Sequence, residues 1–257
     1  RIEAPVFPWQ HVRKMGEDIV ATEMLFARRH CITPYCVGAL LSAGIFTVRV
    51  HARPRVLILP TGSELVDWRK LPETGVRPGQ VIESNSYVLS GLVRAAGGVP
   101  QTAESLGDDV GLIEAAVRSA VASDAHIIMI LGGSSAGSED FARAVIDRMG
   151  DIHVHGVTMM PGKPLIAGQV GGKPVFGIPG YPVSAIMAFE QIVQPLIARM
   201  LGVSEPQRPE VQVVPARKIA SRLGVEEFVR VKIGRVGDRL VAAQLPRGSG
   251  SITSLTE

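Results

Sequence analysis

Residues 125–131, AHIIMIL, restrict the possible folds more than any other stretch of this chain. From Ile127 onward the run is apolar without alternation. A strand built from it needs cover on both faces, as in a parallel sheet flanked by helices. The next residues are GGSSAGSED and then FARAVIDRM, whose apolar positions repeat at helical spacing. A buried strand, a loop of small residues and a helix together make one βα unit of a doubly wound sheet.

The same rhythm recurs from residue 53 to about 202. RVLIL (55–59) reads as a covered strand, 85–96 (NSYVLSGLVRAA) as an amphipathic helix stopped by Gly97-Gly98, and VPQTAESL as a strand. Residues 110–122 follow Asp109 as a helix, KPVFGI (173–178) is another strand, and a long helix starts at Pro182. Hydrophobic residues are 46% of the chain, enough for a sizeable core, and 28 Gly with 18 Pro suit tight βα turns.

Two flanking regions differ. In residues 1–52, positions 18–30 carry apolar residues at helical spacing and predict a helix; a second short helix follows Pro34, and IFTVRVHA (45–52) predicts a strand. Residues 203–257 alternate in short runs with a Gly-Asp turn at 237–238, which predicts a small β domain.

The net charge is only +3 and basic residues are dispersed, which argues against wholesale nucleic-acid binding while suiting a small anionic ligand. Cys31 and Cys36 lack metal or redox spacing and read as structural thiols. No apolar run has the length of a membrane span, and neither end is a natural start or finish; a fragment of a longer cytoplasmic protein is expected. His153 and His155 alternate on one strand without a third partner and are assigned no metal.

Ligands of open α/β sheets bind at the carboxyl ends of the strands. Three loops are expected on that edge: PTGSELVD after 55–59, GGSSAGSED after 125–131, and PGYPVSA after 173–178. In the second, glycines let backbone amides cradle an anion near a helix N-terminus, and Ser134, Ser135 and Ser138 add hydroxyls. It matches neither the Walker A pattern nor the dinucleotide fingerprint. Glu64, Asp108 and Asp140 are acids in strand-end loops. Converging beside an anionic ligand, they would need a hard cation such as Mg²⁺ between them; singly, each suits a helix cap or helix-start charge. Lys163, between the prolines of MPGKPL, suits an oxyanion as a point charge.

Taken together, PTGSEL, VIESNSY, GDD, GGSSAGSEDF, MPGKPL and GIPGYPVSA resemble, in order and spacing, the MoeA/gephyrin E-domain family of molybdopterin molybdotransferases. The resemblance is clearest over 53–202. It implies a three-layer molybdopterin-binding fold with a mostly parallel sheet, a partial N-terminal linker region (1–52) and a small C-terminal β-barrel-like domain (203–257). It also implies Mg²⁺-dependent insertion of molybdate into adenylylated molybdopterin with AMP release, by a homodimer. Glu64, Asp108 and Asp140 match the family's catalytic, metal-holding acids, and Lys163 its PGKP lysine. Thr61 and Gly62 of PTGSEL, with Gly132, Gly133, Ser134, Ser135, Gly137 and Ser138, fall in the ligand-binding loops. Pro179, Gly180 and Pro182 belong to the last of them. Two loops depart from the pattern: GGSSAG replaces GGVSVG, and PGYP replaces PGNP. Two other readings remain open, a related adenylyltransferase and a non-enzymatic molybdopterin or molybdate sensor or scaffold.

Overall fold

The computed structural model describes residues 5–132, 141–204 and 208–256. The chain divides into two compact units, 1–51 and 52–257.

In the first unit the one regular element among the described residues is α1 (Pro34–Ser42), capped by Thr33, whose hydroxyl accepts from the Cys36 amide. The helix expected over 18–30 is absent. Thr22 and Arg29 have φ of 75° and 68°, which break any right-handed run, and Met24 is 79% exposed, so that face has nothing to bury against. Residues 45–52 form no ladder either; Phe46 is 81% exposed, and alternation without a neighbouring strand does not make a sheet.

The second unit follows the expected alternation. Its elements run β1 (Arg55–Pro60), β2 (Leu65–Val66), β3 (Val81–Ile82), α2 (Asn85–Ala95), β4 (Val99–Thr102), α3 (Val110–Ala122) and β5 (Ile127–Leu131). They continue as α4 (Phe141–Met149), β6 (Asp151–His155), β7 (Met159–Met160), β8 (Ile166–Val170), β9 (Lys173–Ile178), α5 (Pro182–Ala188) and α6 (Gln194–Leu201). The main sheet has the order β4-β1-β5-β9-β8-β6. The first four strands are mutually parallel, while β8 and β6 are antiparallel to their neighbours. β8 escaped the sequence reading: Gly168 interrupts its apolar run, and it is defined by the Gly171-Gly172 hairpin to β9.

Every residue of β5 is buried. Ile127, Met129 and Leu131 join one core with Leu89 and Val93 of α2 and Ala185, Phe189 and Ile197 of the final helix. Ile128 and Ile130 join a second core with Ile113 and Val117 of α3 and Val145 and Ile146 of α4. Each buried aliphatic side chain contributes roughly 1.5–3 kcal/mol, so the strand is a major anchor of the three layers. The closing helix has a π-helical turn at Phe189–Val193 between α5 and α6. Pro195 lacks the N–H that would reach the Gln191 carbonyl, and the Gln194 amide bonds to the Phe189 carbonyl instead.

The C-terminal segment adds β10 (Val214–Pro215), β11 (Glu226–Glu227), β12 (Val231–Val236) and β13 (Arg239–Gln244). β10, β13 and β12 form an open three-stranded sheet, and β11 pairs parallel with β7.

Candidate active site

Strands β1 and β5 are neighbours, yet β1 leads toward α2 on one face and β5 toward α4 on the other. Diverging connections open a crevice at the carboxyl ends, where backbone groups are left to bind something other than the sheet. The loops leaving β1, β5 and β9 are stitched together there. The Thr61 amide and hydroxyl both donate to the Leu131 carbonyl, at 2.7 and 2.9 Å, and the Gly132 amide donates to the Ile178 carbonyl at 3.0 Å. Gly132 has φ of 97°, and a Cβ there would lie 2.4 Å from the Thr61 carbonyl oxygen. That close approach requires glycine. Of the three loops expected on this edge, those after β1 and β9 meet at Gly132, the one described residue of the loop after β5.

The loop after β4 joins from the other side. The Gly62 amide donates to Leu106 carbonyl at 3.0 Å, the Ser63 amide to Asp108 Oδ2 at 2.9 Å, and the Asp108 amide to Ser63 Oγ at 3.0 Å. Asp109, not Asp108, caps α3, accepting from the Leu112 amide at 2.8 Å. Asp108 is thereby spared for the cleft. The Glu64 carboxylate lies over Gly62, where an added Cβ would meet Oε2 at 2.8 Å.

The fourth wall comes from β7 and the C-terminal segment. β11 runs beside β7, with the Phe228 amide donating to the Met160 carbonyl at 2.8 Å. The Val183 amide, at the start of α5, donates to the Ser249 carbonyl at 3.0 Å. The result is a cleft of about 1040 Å³, at the upper limit of the usual size of small-molecule and cofactor sites. Thr61, Gly62, Glu64, Asp108, Gly132, Lys163, Pro179, Gly180 and Pro182 all line it. Gly133, Ser134, Ser135, Gly137, Ser138 and Asp140 lie outside the described residues.

Several lining residues were not singled out from the sequence. Arg222, Arg230 and Arg247 join Lys163 as cations. Arg230 orders the last loop by donating to the carbonyls of Pro246 and Gly248 at 2.7 and 2.9 Å and to Ser254 Oγ. Asn85, at the start of α2, donates from Nδ2 to the Gly180 carbonyl at 2.7 Å and holds the PGYP loop. Tyr181, the residue by which PGYP departs from the family's PGNP, is 61% exposed and lines the cleft as well. The signal for Arg230 lies in EEFVRVK, which reads as strand alternation; Arg222 and Arg247 fall in separate turn segments with no motif to mark them. Nothing in the sequence announces that β11 pairs with β7.

Chemically, the cleft joins carboxylates on the sheet loops to cations on the β7 and C-terminal side, with backbone amides between them. Such a two-signed site suits a ligand that carries an anionic group and a metal ion. Among the described residues no group of three or more acidic, His or Cys side chains is gathered for a metal; Glu64 and Asp108 supply two, and Asp140 is outside that set.

The molecule is thus an α/β protein with a ligand cleft at the carboxyl edge of a mostly parallel sheet. It belongs to the family described as "Probable molybdopterin binding domain", whose model matches residues 57–199. Molybdopterin molybdenumtransferase 2 of Mycobacterium tuberculosis is 35% identical over 232 residues, covering 87% of this chain and 55% of that protein. The molybdopterin molybdenumtransferase of Haemophilus influenzae is 31% identical over 224 residues, covering 87% of this chain and 54% of its own length. The crystal structure of a molybdopterin biosynthesis MoeA protein from Pyrococcus horikosii matches with a TM-score of 0.77 at 31% identity, covering 99% of this chain and 61% of that one. The resemblance carried by the six loops therefore holds. The chain spans about half the length of the curated relatives it matches.

Proposed function

We propose that this protein acts in molybdenum cofactor biosynthesis as a molybdopterin molybdotransferase, inserting molybdate into adenylylated molybdopterin with release of AMP. The observation that carries the reading is the shared cleft: Glu64 and Asp108 from two strand-end loops line the same cavity as Lys163 of the PGKP loop. The names of the relatives at 31–35% identity support the substrate class.

Catalysis on this reading is positioning and electrostatics, with no covalent nucleophile. Lys163 and the backbone amides and serine hydroxyls of the GGSSAG loop hold phosphate or molybdate oxygens on this reading. Thr61, Gly62, Pro179, Gly180 and Pro182 shape the walls. Glu64, Asp108 and Asp140 are the residues to hold Mg²⁺, and an all-oxygen donor set at the cleft fits that ion. When bound, Mg²⁺ supplies positive charge beside the phosphoanhydride. The Ser63 clamp keeps the Asp108 carboxylate in place while charge shifts nearby. A homodimer and a cytoplasmic enzyme fit the reading.

The test is single-turnover conversion of adenylylated molybdopterin with molybdate and Mg²⁺, with AMP followed by chromatography, for a full-length parent and this chain side by side. Molybdate-dependent AMP release is expected from the parent, and Asp140→Asn should abolish it while leaving the fold intact. Full activity in that variant overturns the assignment. Tight ligand retention without AMP release from either protein assigns a sensor or scaffold instead.

A further inference from the structure

The C-terminal wall of the cleft holds a buried carboxylate that is only half satisfied. Glu227, on β11, lines the cleft with its side chain 9% exposed. Arg247 Nη1 donates to its Oε1 at 2.5 Å. Its Oε2 is buried and accepts no hydrogen bond. A buried acceptor without a donor leaves a desolvation penalty unrecovered, and native structures tolerate such groups where a ligand or water completes them.

We propose that Glu227 reads the amino-pyrimidinone edge of a pterin, accepting its N–H groups at Oε2. This inference rests on the molybdopterin reading above and adds which residue recognises the ring. A carboxylate only accepts, so its ligand partner must donate. Molybdate and phosphate oxygens offer no donor and are repelled. The amino-pyrimidinone edge presents a ring N–H and an exocyclic NH₂ side by side, two donors for one acceptor group. Adenine presents a donor beside an acceptor and matches less well. Arg247 fixes the carboxylate through Oε1 and through its own bond to the Ala220 carbonyl at 2.6 Å, so the reader is held in place before the ligand arrives. Phe228 and Tyr181 line the same cleft and offer aromatic faces to a flat ring.

The experiment is calorimetric binding of 6-hydroxymethylpterin, of 6-hydroxymethyllumazine (oxo in place of the 2-amino group) and of AMP to the whole chain and to Glu227→Gln, with melting curves alongside. Wild type should prefer the pterin over the lumazine by about tenfold or more, the range expected for one hydrogen bond to a charged group. Glu227→Gln keeps an acceptor for Arg247 and should remove that preference while leaving AMP affinity unchanged. Equal wild-type affinities for pterin and lumazine overturn the proposal, and that comparison needs no variant. Unchanged pterin binding in Glu227→Gln overturns it as well, as does a loss confined to AMP, which would assign the residue to adenine. All three leave the molybdopterin reading standing. No pterin binding to the wild-type chain removes that reading itself, and the proposal with it.

Discussion

Ser63 and Asp108 exchange hydrogen bonds in both directions, amide to carboxylate at 2.9 Å and amide to hydroxyl at 3.0 Å. The pair closes the loop after β1 onto the loop after β4, two segments joined otherwise by backbone bonds at Gly62 and Leu106. Ser63→Ala removes one of the two bonds and leaves the Asp108 carboxylate chemically intact. Stability should fall by about 1 kcal/mol. Turnover should fall further than that figure implies: the Ser63 amide still holds the carboxylate, but the Asp108 backbone amide loses its partner and the loop that carries the acid loosens. Urea melts with single-turnover AMP release on the same variant in the full-length parent separate the two effects. An activity loss no larger than the stability loss predicts would make the pair structural only.

Gly132 cannot be replaced at low cost. Its φ of 97° and the 2.4 Å approach of a built Cβ to the Thr61 carbonyl penalise any side chain twice, through conformation and through collision with backbone. Gly132→Ala should destabilise the second unit by roughly 3 kcal/mol or more, read as a lowered denaturation midpoint. The control is Gly172→Ala, also at positive φ but with open space around a built Cβ, which should cost clearly less.

The contrast between β5 and β8 shows where sequence patterns run out. Residues 127–131 were legible because five apolar residues in a row have no other economical fate than a strand covered on both sides, and all five are buried. β8 carries Gly168 at its centre, and its place is set by pairing with β9 and β6, which no local pattern encodes. Residues 18–30 erred in the other direction, since helical spacing specifies a face and says nothing about whether anything packs on it. The site divides the same way. Glu64, Lys163 and the PGYP loop sit in short motifs, whereas Arg230, Arg247 and Glu227 reach the cleft through the two-residue pairing of β11 with β7.

Asn85 ties the start of α2 to the PGYP loop through one hydrogen bond, Nδ2 to the Gly180 carbonyl at 2.7 Å. The contact spans two walls of the cleft, so Asn85→Ala should loosen the loop that carries Pro179 and Pro182. The expected result is about 1 kcal/mol of stability lost and weaker ligand binding. Asn85→Asp replaces a donor with an acceptor opposite a carbonyl and should be worse than alanine. Calorimetric affinity for 6-hydroxymethylpterin and AMP orders the three proteins. Equal affinity in all of them would show that the loop is held by its other bonds, such as Val183 to Ser249.

Cys36 provides a pH-dependent prediction independent of the cleft. The Thr33 hydroxyl, 3.1 Å from Sγ, lowers the Cys36 pKa from the ordinary 9.0 to about 7, with a backbone hydrogen bond at Thr33 and then His30, 3.2 Å away, adding to the effect against burial. An acid whose folded pKa is depressed favours folding where the folded form is ionised and the unfolded form is not. The contribution is complete above pH 9, grows between 7 and 9, and is lost as pH falls through about 7. Thiolate absorbance in a Cys31→Ser background should therefore show a midpoint near 7. Thr33→Val should move it upward, and Thr33→Ser should hold it, because the serine hydroxyl can take the same place. Thr33 also caps α1, so the valine variant should lose about 1 kcal/mol at every pH, with a further loss confined to alkaline pH. A midpoint unmoved by valine would assign the depressed pKa to His30, and His30→Gln would then be the variant that shifts it.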